Sequence, residues 1–453
     1  MPPTPHRRLI QILLWVFCLS FAFDFRGDVG GHPAQYLFLL GALMSGFSLI
    51  AFGGRTLLAK PGIYILLLWW GYLGSTLAVA AINGVEFGRY ARCIIAPLLC
   101  GLGIAAAHVS ACSGLTARQI VTPLAVCGTI NCLWRVAHGF LFKGVTIDTV
   151  RAEVLSPATA WIAGLLGVTL LFSGRLRLVP VAAAVAMLGS VFLSVTRGAV
   201  LPMAMSALAC FGCLYLALRW RLMDLQGALR KLMPIGAVAG LVVVLMGVAG
   251  AVQPTMFERW VERLFHHADS RNIGEDVSWL SREAEAKAMM DLLDRSPIRW
   301  IYGHGIGGSY YWDPSYYPDL YLVYPHDFDF TEDFWFPGHS PWTYSLFSGG
   351  VLGMLCYAAI FLVPSIMALR SVWRNAGAPG FDLDLGFLPL VGLFCILSET
   401  ATSNPFDERL AGLIVGMMAG LPQALFCRAH WARAASPAAQ PAPASPFTFA
   451  HPA

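Results

Sequence analysis

The chain has 453 residues, of which 57% are hydrophobic and only 12% are charged, with a formal net charge of +4. Ordinary soluble domains carry about 25% charged residues, so this composition excludes that class. Apolar stretches of about 20 residues recur, which is the length of a helix that spans a bilayer. We therefore predict an all-α polytopic membrane protein, and the small positive charge gives no indication of a nucleic-acid partner.

Twelve apolar segments follow one another along the chain. They are 9–23, 35–52, 62–82, 90–110, 118–137, 156–173, 178–195, 198–218, 233–252, 341–369, 386–400 and 408–427. The predicted organisation has four parts: transmembrane helices 1–9 in 1–252, a large loop in 253–340, helices 10–12 in 341–430, and a tail in 431–453. The tail is rich in Ala, Pro and Ser, which predicts a disordered cytoplasmic segment.

Positive charges predict the orientation of these segments. If twelve spans are threaded, short loops with pairs such as Arg7–Arg8 and Arg219–Arg221 fall on one side. Cytoplasmic loops are enriched in Lys and Arg. We therefore expect both termini inside the cell and the loop 253–340 outside.

The long loop divides into three parts. Residues 254–267 alternate apolar and charged side chains at helical spacing, which predicts an amphipathic helix in the membrane interface. A second helix is predicted from Ser281 to Arg295, with Ser281 as its N-cap. Residues 302–336 form a stretch dense in Gly, Pro, Tyr, Trp and Asp.

Two arginines are candidate phosphate-binding residues on the outer side. Arg197 lies in Ser194–Gly198, between two spans with almost no loop, and Arg282 follows the predicted cap Ser281. The planar guanidinium matches phosphate oxygens, and a helix N-terminus also favours an anion. The alternatives are an Arg197 that snorkels to the interface and an Arg282 that pairs with a neighbouring glutamate.

His339 is the candidate general base. It precedes Ser340-Pro341, and proline favours the first turn of a helix. The positive end of that helix disfavours imidazolium, so we expect a neutral ring with a pKa at or below about 6.5. A neutral imidazole accepts a proton from a reacting hydroxyl.

Further polar residues near the outer side are candidates for substrate binding. Arg89 and Arg151 add positive charge, Glu399 lies where the last two spans end, and His304 stands in the glycine-rich stretch 303–308, which predicts a tight turn or close approach to a ligand. His326, Asp327 and Asp329 are the one metal-like cluster, and without further pattern they do not predict a metal site.

The order of these motifs resembles the O-antigen ligase and polymerase superfamily. The resemblance rests on Thr196-Arg197-Gly198, Ser281-Arg282, the glycines around His304 and Gly338-His339-Ser340, and it covers most of the chain from about 155 to 370. It implies a membrane glycosyltransferase of the C-type fold that uses neither nucleotide sugar, cofactor nor metal.

The resemblance also implies roles and partners. His339 matches the essential histidine, and Arg197 and Arg282 match the essential arginines. Ligases of this kind move a glycan from undecaprenyl diphosphate to the lipid A–core oligosaccharide at the periplasmic face of the inner membrane. Three alternatives stay open: an O-antigen polymerase, a protein O-oligosaccharyltransferase with the same donor, and a lipid-glycan transporter or flippase.

Overall fold

The structure is a computed structural model that describes residues 5–25, 32–57, 62–144, 153–173, 178–252, 254–265, 277–321, 329–376 and 381–434. The helices that precede the long loop are α1 Pro5–Leu19, α2 Pro33–Leu57, α3 Gly62–Ile82, α4 Phe87–Cys93, α5 Ile95–Cys112, α6 Ala117–Leu141, α7 Thr159–Val168, α8 Leu178–Ser194, α9 Val200–Arg219 and α10 Leu225–Val252. The remaining helices are α11 Pro254–Phe265, α12 Val277–Asp294, α13 Pro297–Tyr302, α14 Tyr317–Leu320, α15 Pro341–Asn375, α16 Leu383–Glu399 and α17 Arg409–Ala434.

A helix occupies each of the twelve predicted apolar segments. Among the described residues, six helices are long and apolar enough to cross a membrane: α2, α3, α5, α6, α9 and α15. This confirms an all-α multi-pass membrane protein, while the count of twelve spans stays a prediction. One predicted segment, 90–110, is divided at Ile94. Pro97 lacks the N–H that would continue the helix to the carbonyl of Cys93.

Helix α17 packs closely against α5 through a row of glycines. Gly412, Gly416 and Gly420 recur every four residues and face the backbone of α5; a Cβ at Gly416 would lie 2.1 Å from the carbonyl oxygen of Cys100. Small residues at this spacing let two membrane helices approach to backbone contact. The last helix of the chain is therefore part of the core.

The loop between α10 and α15 contains helices at the predicted places, with one correction. Helix α11 lies in the predicted amphipathic segment, and its Trp260 indole donates to the carbonyl of Phe192 at 3.0 Å. Helix α12 includes Val277 and the residues after it, so Ser281 lies inside the helix and is not its N-cap. The prediction placed the helix start at the first good capping residue, whereas the helix continues through it.

Helix α15 bends at Gly350, and the glycine-rich stretch fills the bend. Gly350 has φ +63°, and a Cβ there would lie 2.2 Å from the carbonyl oxygen of Ile301. The amides of His304 and Gly305 donate to the carbonyls of Phe347 and Ser348 at 2.7 and 2.9 Å. These glycines therefore allow the loop backbone to approach α15 closely. The sequence had predicted either a tight turn or close approach to a ligand at these positions.

Candidate functional site

His339 and Glu285 form the centre of the candidate site. Glu285, on α12, accepts two hydrogen bonds from His339: one from its backbone amide at 2.9 Å and one from ring Nδ1 at 3.0 Å. The glutamate side chain is 7% exposed and the histidine side chain 47%. A ring that donates Nδ1–H keeps Nε2 as the proton acceptor, and exposure leaves that atom open to a substrate.

The backbone around His339 is held on both sides. Asn404 donates its side-chain amide to the carbonyl of Gly338 at 3.1 Å. On the other side, Ser340 caps α15 by accepting the amide of Thr343 at 3.4 Å, and Pro341 occupies the first helical turn as predicted. The imidazole is therefore fixed in position by backbone contacts as well as by Glu285.

Arg282 lies one helical turn before Glu285 on α12. Its guanidinium donates to the carbonyl of Thr402 at 2.5 Å and contacts that of Ala401 at 3.4 Å. The Thr402 hydroxyl in turn lies 3.4 Å from the carbonyl of Gly198, the residue after Arg197. The segment after α16 thus joins the backbone of the Arg197 motif to Arg282, although the side chain of Arg197 lies outside what the structure describes.

The electrostatics of the site differ from the expectation for His339. The hydrogen bond to the Glu285 carboxylate raises the pKa of His339 above its usual value, while partial burial and the positive charge of Arg282 act in the opposite direction. The prediction of a pKa at or below the usual value was wrong, because it considered the helix end and the arginines but no buried carboxylate.

The other predicted site residues fall in different surroundings. Arg89 forms ion pairs with Glu86 and Asp333, and the pair with Asp333 raises the pKa of the arginine. His304 lies half-buried with its ring centroid 5.4 Å from that of Phe347, and desolvation lowers its pKa. These contacts connect the loop to α4 and α15, and in the described part of the chain neither residue makes a hydrogen bond or an ion pair with His339.

Glu399 lies at the end of α16, close to the site segment. Its carboxylate accepts the hydroxyl of Ser403 at 3.3 Å, and its carbonyl accepts the amide of Thr402 at 2.9 Å. Glu399 therefore shapes the segment whose carbonyls bind Arg282. Arg151, the remaining predicted residue, lies outside the described residues.

The weak metal-like cluster is only partly described. Asp329 accepts the amide and the hydroxyl of Thr331 at 2.8 and 2.5 Å, which is an ordinary turn arrangement, while His326 and Asp327 lie outside the described residues. In the part of the chain that the structure describes, no group of three His, Cys, Asp or Glu side chains is placed to hold a metal ion.

Sequence reasoning missed Glu285 as the partner of His339. The available signal was its position on α12, next to the apolar row Ala284, Ala288 and Met289, all of which are buried. A carboxylate beside a buried helix face must find a partner. The sequence did not show that this partner is His339, which lies 54 positions away.

Two ion pairs hold the end of the segment between α16 and α17, at Glu408 and Arg409. Arg135 of α6 contacts both carboxylate oxygens of Glu408, at 3.2 and 2.8 Å, and Arg409 contacts both oxygens of Asp24, at 3.1 and 3.0 Å. Arg135 and Asp24 are each 1% exposed. These pairs connect α6 and the segment after α1 to the start of α17, so the segment that contacts Arg282 and Gly338 is anchored to the helix bundle.

Comparison with known protein families gives one match. Residues 182–358, about two fifths of the chain, match the family model described as O-antigen ligase. A search of curated proteins found no match. The matched range contains Arg197, Arg282, Glu285 and His339.

Proposed function

We propose that this chain is an inverting, metal-independent glycosyltransferase. The proposal starts from the match of residues 182–358 to the O-antigen ligase family model, which supports a member of the O-antigen ligase/polymerase superfamily. The enzyme ligates O-antigen polysaccharide from undecaprenyl diphosphate onto lipid A–core oligosaccharide, without a cofactor, at the periplasmic face of the bacterial inner membrane. The observation that carries the proposal is the His339–Glu285 pair with Arg282 one helical turn away.

His339 serves as the general base in this proposal. Its Nε2 takes the proton of the acceptor hydroxyl as the hydroxyl oxygen attacks the anomeric carbon of the donor glycan. Glu285 holds the ring through Nδ1 and stabilises the imidazolium that forms, as the carboxylate of a catalytic triad does. Glu285 acts through His339 and is a positioning residue.

The arginines stabilise the leaving group. The bond between the anomeric carbon and the diphosphate breaks with its electron pair going to the phosphate oxygen, so negative charge increases on the diphosphate. Preorganised cations aimed at such charge stabilise a transition state strongly. Arg282, already directed at the site by Thr402, and Arg197 fill this role. One displacement from the opposite face inverts the anomeric configuration.

Purified enzyme in lipid, with a labelled undecaprenyl-diphosphate glycan, tests the proposal. We expect the label to be transferred to lipid A–core. Label on a second donor glycan would instead indicate a polymerase, and label on a Ser/Thr peptide would indicate a protein oligosaccharyltransferase. Movement of the labelled lipid across the membrane of a sealed vesicle, without transfer, would indicate a transporter. His339→Ala should lower transfer by about 10²–10⁴-fold, the range for losing a general base.

A control histidine is available on the same chain. His6 is exposed on α1, on the predicted cytoplasmic side, and His6→Ala should leave transfer unchanged. Transfer by His339→Ala at the rate of the wild type would remove this residue from the mechanism.

A further inference from the structure

The surface of α15 changes character at Gly350. Between Pro341 and Gly350 the helix is almost entirely covered by the rest of the protein. Immediately beyond the bend, apolar side chains are exposed: Val351 by 40%, Leu352 by 48% and Leu355 by 57%. Exposed apolar side chains on a membrane helix face lipid, so the exposed turns beyond Gly350 face the hydrocarbon, whereas the turns before it are covered by protein.

The short helix α13 packs beside Gly350, where α15 changes from covered to exposed side chains. The carbonyl of Ile301 contacts Gly350, and α13 packs against α15 and the outer end of α3. Three of its six residues expose large apolar surface: Ile298 by 67%, Ile301 by 48% and Tyr302 by 50%. In water, so much exposed isoleucine on one short helix would be unfavourable.

The exposed face of α13 continues the lipid-facing surface of its neighbours. Ile82, the last residue of α3, is 82% exposed, and Ala80 two residues earlier contacts Gly305 just after α13. Leu77 and Leu67 extend the same apolar exposure down α3, by 47% and 62%. The outer end of α3, the bend of α15 and α13 thus share one level.

We propose that α13 lies in the outer interface of the bilayer, with Ile298, Ile301 and Tyr302 among the outer-leaflet lipids. Its neighbouring residues suit that depth. The Trp300 indole donates to Asp294 at 3.0 Å, and Arg295 is exposed. Tryptophan, tyrosine and arginine are typical of the membrane–water interface.

This placement relates the candidate site to the membrane. Pro341 precedes Gly350 by nine residues, which is about 13 Å along a helix at about 1.5 Å per residue. His339 lies just before Pro341, at the covered end of α15, and the bend at Gly350 separates it from the exposed turns. The position of α13 does not depend on the proposed transfer reaction.

Photo-crosslinking in proteoliposomes tests the position of α13. The full-length protein carries benzoylphenylalanine at Ile298 or at Ile301, and the control carries it at Ser315, which is also exposed and lies in a polar part of the loop. After irradiation, we expect phospholipid adducts at 298 and 301 at least tenfold above those at 315. Retained monodispersity of each variant shows that it is folded.

The outcomes are separable. Equal lipid adducts at 301 and 315, or adducts of a second copy of the chain at 298 and 301, would overturn the membrane placement. Because the readout is a lipid adduct, it does not require transfer activity, so failure of this proposal is distinguishable from failure of the proposed function.

Discussion

Glu285→Gln tests the central pair with the smallest change of shape. In the wild type, two carboxylate oxygens accept the amide and the Nδ1–H of His339. Glutamine offers one oxygen and one NH₂ group. If its oxygen keeps the backbone amide, its NH₂ faces Nδ1, which must then accept, and the ring proton moves to Nε2. The base would be protonated at the atom that faces the substrate.

The magnitude follows from the bond that is lost. A hydrogen bond to a charged group contributes about 1.5–3 kcal/mol, which corresponds to about 10- to 150-fold in rate. The change of tautomer adds to that loss, so we expect transfer to fall by about 10²–10³-fold. Substrate binding should change little, since Glu285 touches the histidine and not the diphosphate in the proposed mechanism.

The pH profile distinguishes a positioning role from a merely structural one. Glu285 raises the pKa of His339, and the base must be neutral, so the wild-type rate should rise with pH through a value above about 6.5. Without the carboxylate, the pKa falls and this rise should move to lower pH, while the plateau rate drops. The assay is single-turnover transfer of labelled glycan between about pH 5 and 9.

A matched control lies two residues away on the same helix. Glu283 is exposed and accepts the hydroxyl of Tyr316 at 3.3 Å. Glu283→Gln should therefore keep the wild-type rate and pH profile. Wild-type turnover in Glu285→Gln, or a slow variant whose pH profile has not moved, would refute the argument.

Three further predictions address the arginine, the bend and the orientation. Arg282→Ala should lower transfer by about 10²-fold or more, and lysine should restore little of it, because a point charge does not reproduce the guanidinium fork; single-turnover rates measure both. Gly350→Ala should lower the thermal midpoint in detergent, because a Cβ would meet the Ile301 carbonyl at a positive φ, whereas Gly189→Ala has nothing within 4 Å and should not. A reporter fused near Ser315 should give a periplasmic signal, and a cytoplasmic one would contradict the predicted orientation.

Hydropathy and local signals predicted much of the fold. Apolar segments of membrane length gave the helices, and Ser340-Pro341 marked the start of α15 correctly because capping is a property of adjacent residues. The same local reasoning failed at Ser281, where a good capping residue lies inside a helix that had already begun. Capping signals indicate where a helix can start and do not require it to start there.

The candidate site was predictable only in part, because its key contacts join distant segments. The range that matches the family model contains His339, Arg282 and Arg197, and their roles stay predictions. The partner Glu285 and the carbonyl of Thr402 depend on how α12, α15 and the end of α16 meet in space. The sign of the pKa shift of His339 follows from one of these contacts, so reasoning along the chain alone could not give it.

The buried ion pairs have a consequence for the order of assembly in the membrane. Asp24 and Arg409 are 385 residues apart in the chain, and Arg135 and Glu408 are 273 apart. During synthesis, Asp24 and Arg135 enter the nascent protein long before their partners exist, and an unpaired buried charge costs several kcal/mol. We therefore expect the bundle to reach its final packing only when α17 is in place. Because the start of α17 also anchors the segment that contacts Gly338 and Arg282, chains that end before residue 408 should lack a formed site.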